Sequence, residues 1–387
     1  MLYSVDLSGN HVSAANMSSL SDPSMALSYL NLSGCGIREF PGFIRNRQHV
    51  SRLDLSNNII KDQVPGWLWS LPELEMVDLS NNSFTGFGSF TRDFSGAQID
   101  ILDLSNNNFS GEIPISICGM ILLEVLDLSN NNFKGSVPQC FNIIIKKSLS
   151  VLNLGNNHLS GKLPEIFIKC SNLRSLNVGH NQLVGKLPRS LSDCSPLEVL
   201  NLEHNGIKDA FPFWLESLRK LQVLVLLSNE FHGSLQYHPK VASWFPQLRI
   251  IDISHNAFTG TLPSNFFMYW SAMSSTKDRS ELKYIGDNTY YQDSFVLMNK
   301  GVEMNYTRIL TLLTAIDFSG NRLKGKIPES IGLLKNLIVL NLSNNGFNGT
   351  IPSSMANLTE LESLDLCITS FQGKSHLLSE PSRVSRT

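Results

Sequence analysis

The 387-residue chain lacks a charge of one sign: 31 Lys and Arg against 33 Asp and Glu leave a formal net charge of -2. Without a basic excess there is no broad electrostatic attraction to nucleic acid or anionic lipid, and both are set aside as partners. No apolar run approaches the roughly 18 residues that span a membrane. Catalytic signatures are missing too: there is no His-Glu-x-x-His, paired Cys-x-x-Cys, Gly-x-Ser-x-Gly or kinase catalytic loop. One near match to a phosphate loop, Gly320-Asn-Arg-Leu-Lys-Gly325-Lys326-Ile327, has Ile327 where a metal-binding hydroxyl is needed, and its register is ordinary repeat spacing. No enzyme activity, catalytic residue, metal or cofactor is therefore expected.

What the chain has in abundance is one pattern, Leu-x-x-Leu-x-Leu-x-x-Asn, returning about every 24 residues. Its asparagine falls at Asn10, Asn58, Asn82, Asn107, Asn131, Asn157, Asn181, Asn205, Asn229, Asn256, Asn321 and Asn345, with Cys35 in one equivalent slot. This is the signature of a leucine-rich repeat, an α/β repeat solenoid. In Leu149-Ser-Val-Leu152-Asn-Leu154-Gly-Asn-Asn157, the leucines two apart point inward from a short strand while Asn153 and Gly155 point out. Stacked strands then form a parallel concave sheet. The chain turns sharply after each strand, and a buried Asn amide can both donate to and accept from the backbone there, so Asn157 and its equivalents are structural. About 13 to 14 repeats are expected.

The second half of seven units carries one further pattern: Gly161-Lys-Leu163-Pro164 recurs as Gly111 to Pro114, Gly135 to Pro138, Gly185 to Pro188, Gly260 to Pro263, Gly325 to Pro328 and Gly349 to Pro352. Gly permits the turn and Pro fixes its own backbone angle while donating nothing, which suits an exposed edge. Six cysteines are present. Cys170 and Cys194 lie at equivalent places in neighbouring repeats, and Cys118 and Cys140 on adjacent coils, so each pair is a disulfide candidate or a buried reduced pair. Among eight Asn-x-Ser/Thr sequons, Asn16, Asn81, Asn108, Asn305, Asn348 and Asn357 are candidate glycan acceptors, whereas Asn31 and Asn341 sit on strands.

Between Asn256 and Asn321 the step is 65 residues, about 41 more than one repeat. The expected organisation is a repeat array over 1–263, a non-repeat insert over 264–309, final repeats over 310–366, and an unpatterned tail over 367–387 that reads as disordered. The insert is rich in aromatics, and Phe295 to Met304 reads as two short strands around an Asn299-Lys300-Gly301 turn. It is either functional or a folded flap on the solenoid flank. Both ends are expected to be cut, since no signal peptide, cap or membrane helix is recognised.

The outward position between the strand leucines reads Asp54, Asp78, Asp103, Asp127, Asn153, Asn177, Asn201, Val225, Asp252 and Asp317. Stacked about 5 Å apart, carboxylates repel by roughly 1 kcal/mol per pair in water, so these are expected to bond to neighbouring Ser or backbone. The break is different: Val223, Val225 and Leu227 place apolar groups outward on one strand, flanked by Glu203, His204, Asp252 and His255. Exposed apolar groups with a polar rim mark contact sites, so these seven residues are the candidate ligand-binding set, unless Val223 and Val225 receive the insert.

Several stretches are more specific than the repeat: Glu39-Phe-Pro41, Val64-Pro-Gly-Trp67-Leu-Trp69, Leu221 to Leu226, Phe245 to Asp252, Tyr290-Tyr-Gln-Asp-Ser294, Lys300 to Met304, Ile316 to Ser319 and Leu361 to Asp365. With the Gly-x-Ile/Leu-Pro extension, residues 1–366 resemble a plant leucine-rich-repeat receptor-like protein of the disease-resistance type, an extracellular superhelix with an island. The resemblance implies a cell-surface receptor in immune or developmental signalling, binding a peptide, protein or glycan on the concave face. It further implies signalling through adaptor and coreceptor receptor kinases, with membrane attachment only through a segment absent from this chain. Tyr290, Tyr291, Lys300 and Arg322 are then candidates for coreceptor or island contact. The alternatives are a soluble extracellular inhibitor of a cell-wall-degrading enzyme and the ectodomain of a receptor kinase.

Overall fold

The computed structural model describes residues 3–11, 26–88, 96–236, 245–274, 283–286, 290–299, 302–367 and 370–371. Each repeat contributes one three-residue strand to a 14-stranded parallel sheet that runs from Ser4–Asp6 to Ser363–Asp365. Pairing is in strict register, with Leu126 opposite Leu152, Leu152 opposite Leu176 and Leu176 opposite Leu200. The inward leucines from Leu30 to Leu340 are fully buried, as the two-residue alternation requires, whereas Leu364 in the last strand is exposed.

The turn after each strand places a residue in the left-handed region, as at Asn57, Asn81, Asn106, Asn130 and Asn156, a conformation Asn tolerates better than most residues. The next asparagine holds the coil together. Asn157 Nδ2 donates to the carbonyls of Leu128 at 3.0 Å and Leu154 at 3.2 Å, and its Oδ1 accepts from Phe133 N–H at 3.0 Å. Equivalent bonds recur at Asn58, Asn107, Asn131 and Asn181. Cys35 keeps part of this role by donating from Sγ to the Leu7 carbonyl at 3.0 Å.

The Gly-x-x-Pro segments build the next layer. Their glycines have φ near +80 to +91°, which only glycine adopts without cost, and they bend the chain into two five-stranded lateral sheets. Pro114, Pro188, Pro328 and Pro352 then each precede a 3-10 turn. Between the layers runs a spine of buried phenylalanines, with Phe84, Phe109 and Phe133 stacked at 6.2 and 5.8 Å. Disulfides join Cys118 to Cys140 and Cys170 to Cys194, while Cys35 is a buried and Cys367 an exposed free thiol.

The long step leaves the concave sheet unbroken. Ile250–Asp252 pairs directly with Ala315–Asp317, so everything between them is an excursion. Its first part belongs to the array: Phe266, Phe267 and Trp270 are buried in the main core, and Met273 O accepts from Asn336 N–H at 2.9 Å. Its later part, the strands Phe295–Asn299 and Val302–Tyr306, pairs antiparallel with Asn299 opposite Val302. This hairpin does not lie on the flank. It covers the concave face.

Candidate functional site

The insert is seated by a second apolar core, separate from the spine. Val199, Val223, Val225 and Ile250 of the sheet pack against Ile285, Phe295, Leu297 and Ile309 of the insert. Val223 and Val225 are each only 1% exposed, and Leu227 is half-buried against the same cluster. The expected open apolar contact site is therefore corrected at Val223 and Val225. Each such side chain gains about 1.5–3 kcal/mol on burial, so the insert's own apolar residues occupy them.

From this seat the chain runs along the concave face toward the earlier repeats. Asp293 is held by Arg174 Nη1 at 2.6 Å and by the Ser175 hydroxyl. The Tyr291 hydroxyl accepts from Asn153 Nδ2 at 3.0 Å. Further along, Tyr290 donates to Asp78 Oδ2 at 2.7 Å and lies 3.4 Å from Asp103 Oδ2. Just after the insert, Arg249 Nη1 donates to the Thr311 carbonyl at 2.5 Å.

Gly286 sits over the Arg174 guanidinium, where an added Cβ would lie 2.9 Å from Nη1. The insert is a strap. Its grip spans the sheet from the strand Met76–Asp78 to Ile250–Asp252.

Under the strap the acidic ladder is largely internalised. Ser80 and Ser129 donate hydroxyls to Asp78 and Asp127 at 2.7 and 2.6 Å. Burial, then Asp127 and Asp78, push the Asp103 carboxyl up to about 8. Burial also raises Asp127, and burial with Asp317 raises Asp252 well above the carboxylate range. Burial and the neighbouring aspartates push the Tyr290 and Tyr291 phenols upward, so both remain hydrogen-bonding hydroxyls.

Of the remaining expected ligand residues, Asp252 is 4% exposed and engaged by Ser254, so it too is corrected to a structural role. His204 and His255 are exposed and take the left-handed turn position that Asn fills elsewhere. Arg322 is exposed but begins a strand of a lateral sheet, on a different face from Tyr290 and Tyr291. Lys300 and Asn16 lie outside the described residues. Asn81, Asn108, Asn305, Asn348 and Asn357 are all exposed.

Beside the strap a groove of about 340 Å³ remains open. Its floor includes Asn130, Asn156 and Glu203, and its wall Tyr291, Ser294 and Asn305. His180, which lines it, stacks on His204 at 4.4 Å. Among the described residues lining the groove, the carboxylates are Asp127 of the aspartate ladder and Glu203. Burial would raise Glu203, but the neighbouring His180 and a hydrogen bond from Asn201 outweigh burial and hold it below the usual range.

Sequence reasoning missed Arg174, Arg249 and Asp293. A signal for the arginines exists in the column just before each strand: Glu75, Asp100, Glu124, Ser150, Arg174, Glu198, Gln222, Arg249. The two sign reversals in this column mark Arg174, which grips Asp293 of the insert, and Arg249, which holds the Thr311 carbonyl just after it.

This fold defines a leucine-rich-repeat protein, and two leucine rich repeat family models match the chain, one at residues 26–84 and 147–207, the other at 98–120, 122–142, 247–268, 312–334 and 336–358. Receptor-like protein 53 of Arabidopsis thaliana is 59% identical over 339 residues, covering 87% of this chain and 34% of its own length. Receptor-like protein 32 of the same plant is 56% identical over 346 residues, covering 87% and 39%. The chain belongs to the plant leucine-rich-repeat receptor-like protein family, and it spans about a third of the length of these curated relatives. Among solved structures it is similar to the plant peptide hormone receptor RGFR1 in complex with RGF2, at 25% identity and a TM-score of 0.74 over 96% of this chain and 52% of that one. Among the described residues no helix is long and apolar enough to cross a membrane.

Proposed function

We propose that this chain is part of the ligand-recognising ectodomain of a plant cell-surface receptor, and that its ligand is a peptide lying in the groove between the strap and the concave sheet. The observation that carries the reading is the composite groove, walled by the insert through Tyr291, Ser294 and Asn305 and floored by the amide ladder. Uncharged amides and hydroxyls at regular spacing suit the donors and acceptors of an extended main chain. Kinship to receptor-like proteins, and similarity to a receptor solved with its peptide hormone, support the same reading. The protein acts by binding, without chemistry, and passes the signal to partner receptor kinases.

The test is capture of peptides from the secreted fluid of plant tissue on the immobilised full chain, with a Ser294→Arg variant as control. Ser294 is exposed and lines the groove, so a bulky cation there fills the site without disturbing the core. The expected result is a peptide set retained by the native chain and lost from the variant, at equal thermal stability. An identical set on both proteins would overturn the groove assignment.

A further inference from the structure

We propose that the groove recognises a basic group of its ligand, a Lys or Arg side chain or an N-terminal ammonium, through Glu203; this rests on the reading of the groove as the ligand site. The position three residues after the central strand residue is Ser in most of the array, as at Ser56, Ser80, Ser105, Ser129, Ser254, Ser319 and Ser343. Under the groove it reads Gly155, Gly179, Glu203. The carboxylate and the glycine beside it are matched. A Cβ at Gly179 would stand 3.0 Å from Glu203 Cγ, so glycine there lets the acidic side chain lie flat across the floor.

The carboxylate is oriented from one side only. Its Oε1 accepts from Asn201 Nδ2 at 2.9 Å and lies 3.6 Å from His180 Nε2. Oε2 makes no hydrogen bond among the described residues, although the side chain is only 9% exposed. Glu203 lines the groove, so this oxygen is free to accept a hydrogen bond from water or from a cationic group of the ligand there. Most of the surrounding floor is amide, Asn130, Asn156 and Asn177, and its other carboxylate, Asp127, is buried and already accepts from the Ser129 hydroxyl and Asn153 Nδ2. Charge-assisted hydrogen bonds in such a partly desolvated place are roughly twice as strong as neutral ones.

The probes are a blocked pentapeptide, acetyl-Gly-Gly-Arg-Gly-Gly-amide, and its isosteric citrulline counterpart, each followed by saturation-transfer NMR with the full chain. Citrulline keeps the shape and most donors but removes the charge. The expected result is that the arginine peptide binds about tenfold more tightly than the citrulline peptide, and that Glu203→Gln erases the difference. Thermal unfolding of Glu203→Gln within a few degrees of the native chain shows that the floor is intact. Equal binding of the two peptides to the native chain, or an arginine preference surviving in Glu203→Gln, would overturn the role of Glu203 while leaving the groove as a peptide site. Binding of neither peptide would overturn both.

Discussion

Replacing Asp103 by Asn should flatten the dependence of stability on pH, because this buried carboxyl resists ionisation in the folded protein. Its folded value is pushed up to about 8 by burial and by Asp127 and Asp78, against about 3.9 in an unfolded chain. A raised folded value gives stability that is fully present below about pH 4 and is lost as pH rises toward 8. Between pH 5 and 7 the loss approaches about 1.4 kcal/mol per pH unit for one such group, so Asp103 alone accounts for roughly 2–3 kcal/mol. Asp127, Asp252, Asp317 and Asp54 are also raised and act in the same direction. Glu203, held below its usual value, acts oppositely and costs stability only in strong acid. The assay is urea unfolding of the native chain and Asp103→Asn at pH 5, 6, 7 and 8. The native chain should weaken steadily with rising pH and the variant should weaken less, by roughly 2–3 kcal/mol across the range. Parallel curves for the two proteins would refute the reasoning, since the Asp103 carboxyl would then ionise as freely folded as unfolded.

The remaining predictions concern the seat and the scaffold. Val225→Asp sets a carboxylate beneath Phe295 and Leu297 and should cost about 3 kcal/mol or more, with faster hydrogen exchange over Phe295–Asn299 and Val302–Tyr306. Unchanged exchange there would place the valine outside the seat. Asn157→Ala removes the amide that holds Leu128 and Leu154 carbonyls and the Phe133 amide, and should lower stability by about 2–4 kcal/mol in denaturant titration. A loss under about 0.5 kcal/mol would show that water replaces it. Changing Cys170 and Cys194 together to Ala opens a loop of sequence separation 24 and should cost about 2–4 kcal/mol in the oxidised protein. Equal stability of the variant and the native chain would show that the bridge contributes nothing.

The solenoid was readable because its chemistry repeats. Inward leucines, the buried Asn amide and the Gly-x-x-Pro bend each solve a local backbone problem, and each solution recurs many times along the coil. The hairpin was readable from Phe295 to Met304 for the same local reason. The seat of the insert was visible only as a discontinuity at Val223 and Val225, with two meanings that spacing alone does not separate. Exposed apolar residues and residues buried by a distant segment look alike in sequence, and here the burying residues Phe295 and Leu297 follow some 70 positions later. The Arg174 to Asp293 pair, 119 residues apart, depends wholly on how the strap crosses the sheet. Its trace in sequence was the change of sign in an otherwise acidic or neutral column. Glu203 was legible as a polar neighbour of the break, but its unmatched oxygen needed the groove.

The central claim, that the insert is strapped across the concave sheet, is tested most directly by a paired substitution, Ser175→Cys with Asp293→Cys. Those two side chains touch in the folded protein although 118 residues separate them. Mild oxidation followed by peptide mapping should recover one disulfide-linked fragment joining positions 175 and 293, alongside the native Cys118–Cys140 and Cys170–Cys194 bridges. Recovery of both native bridges with positions 175 and 293 unlinked would contradict the account.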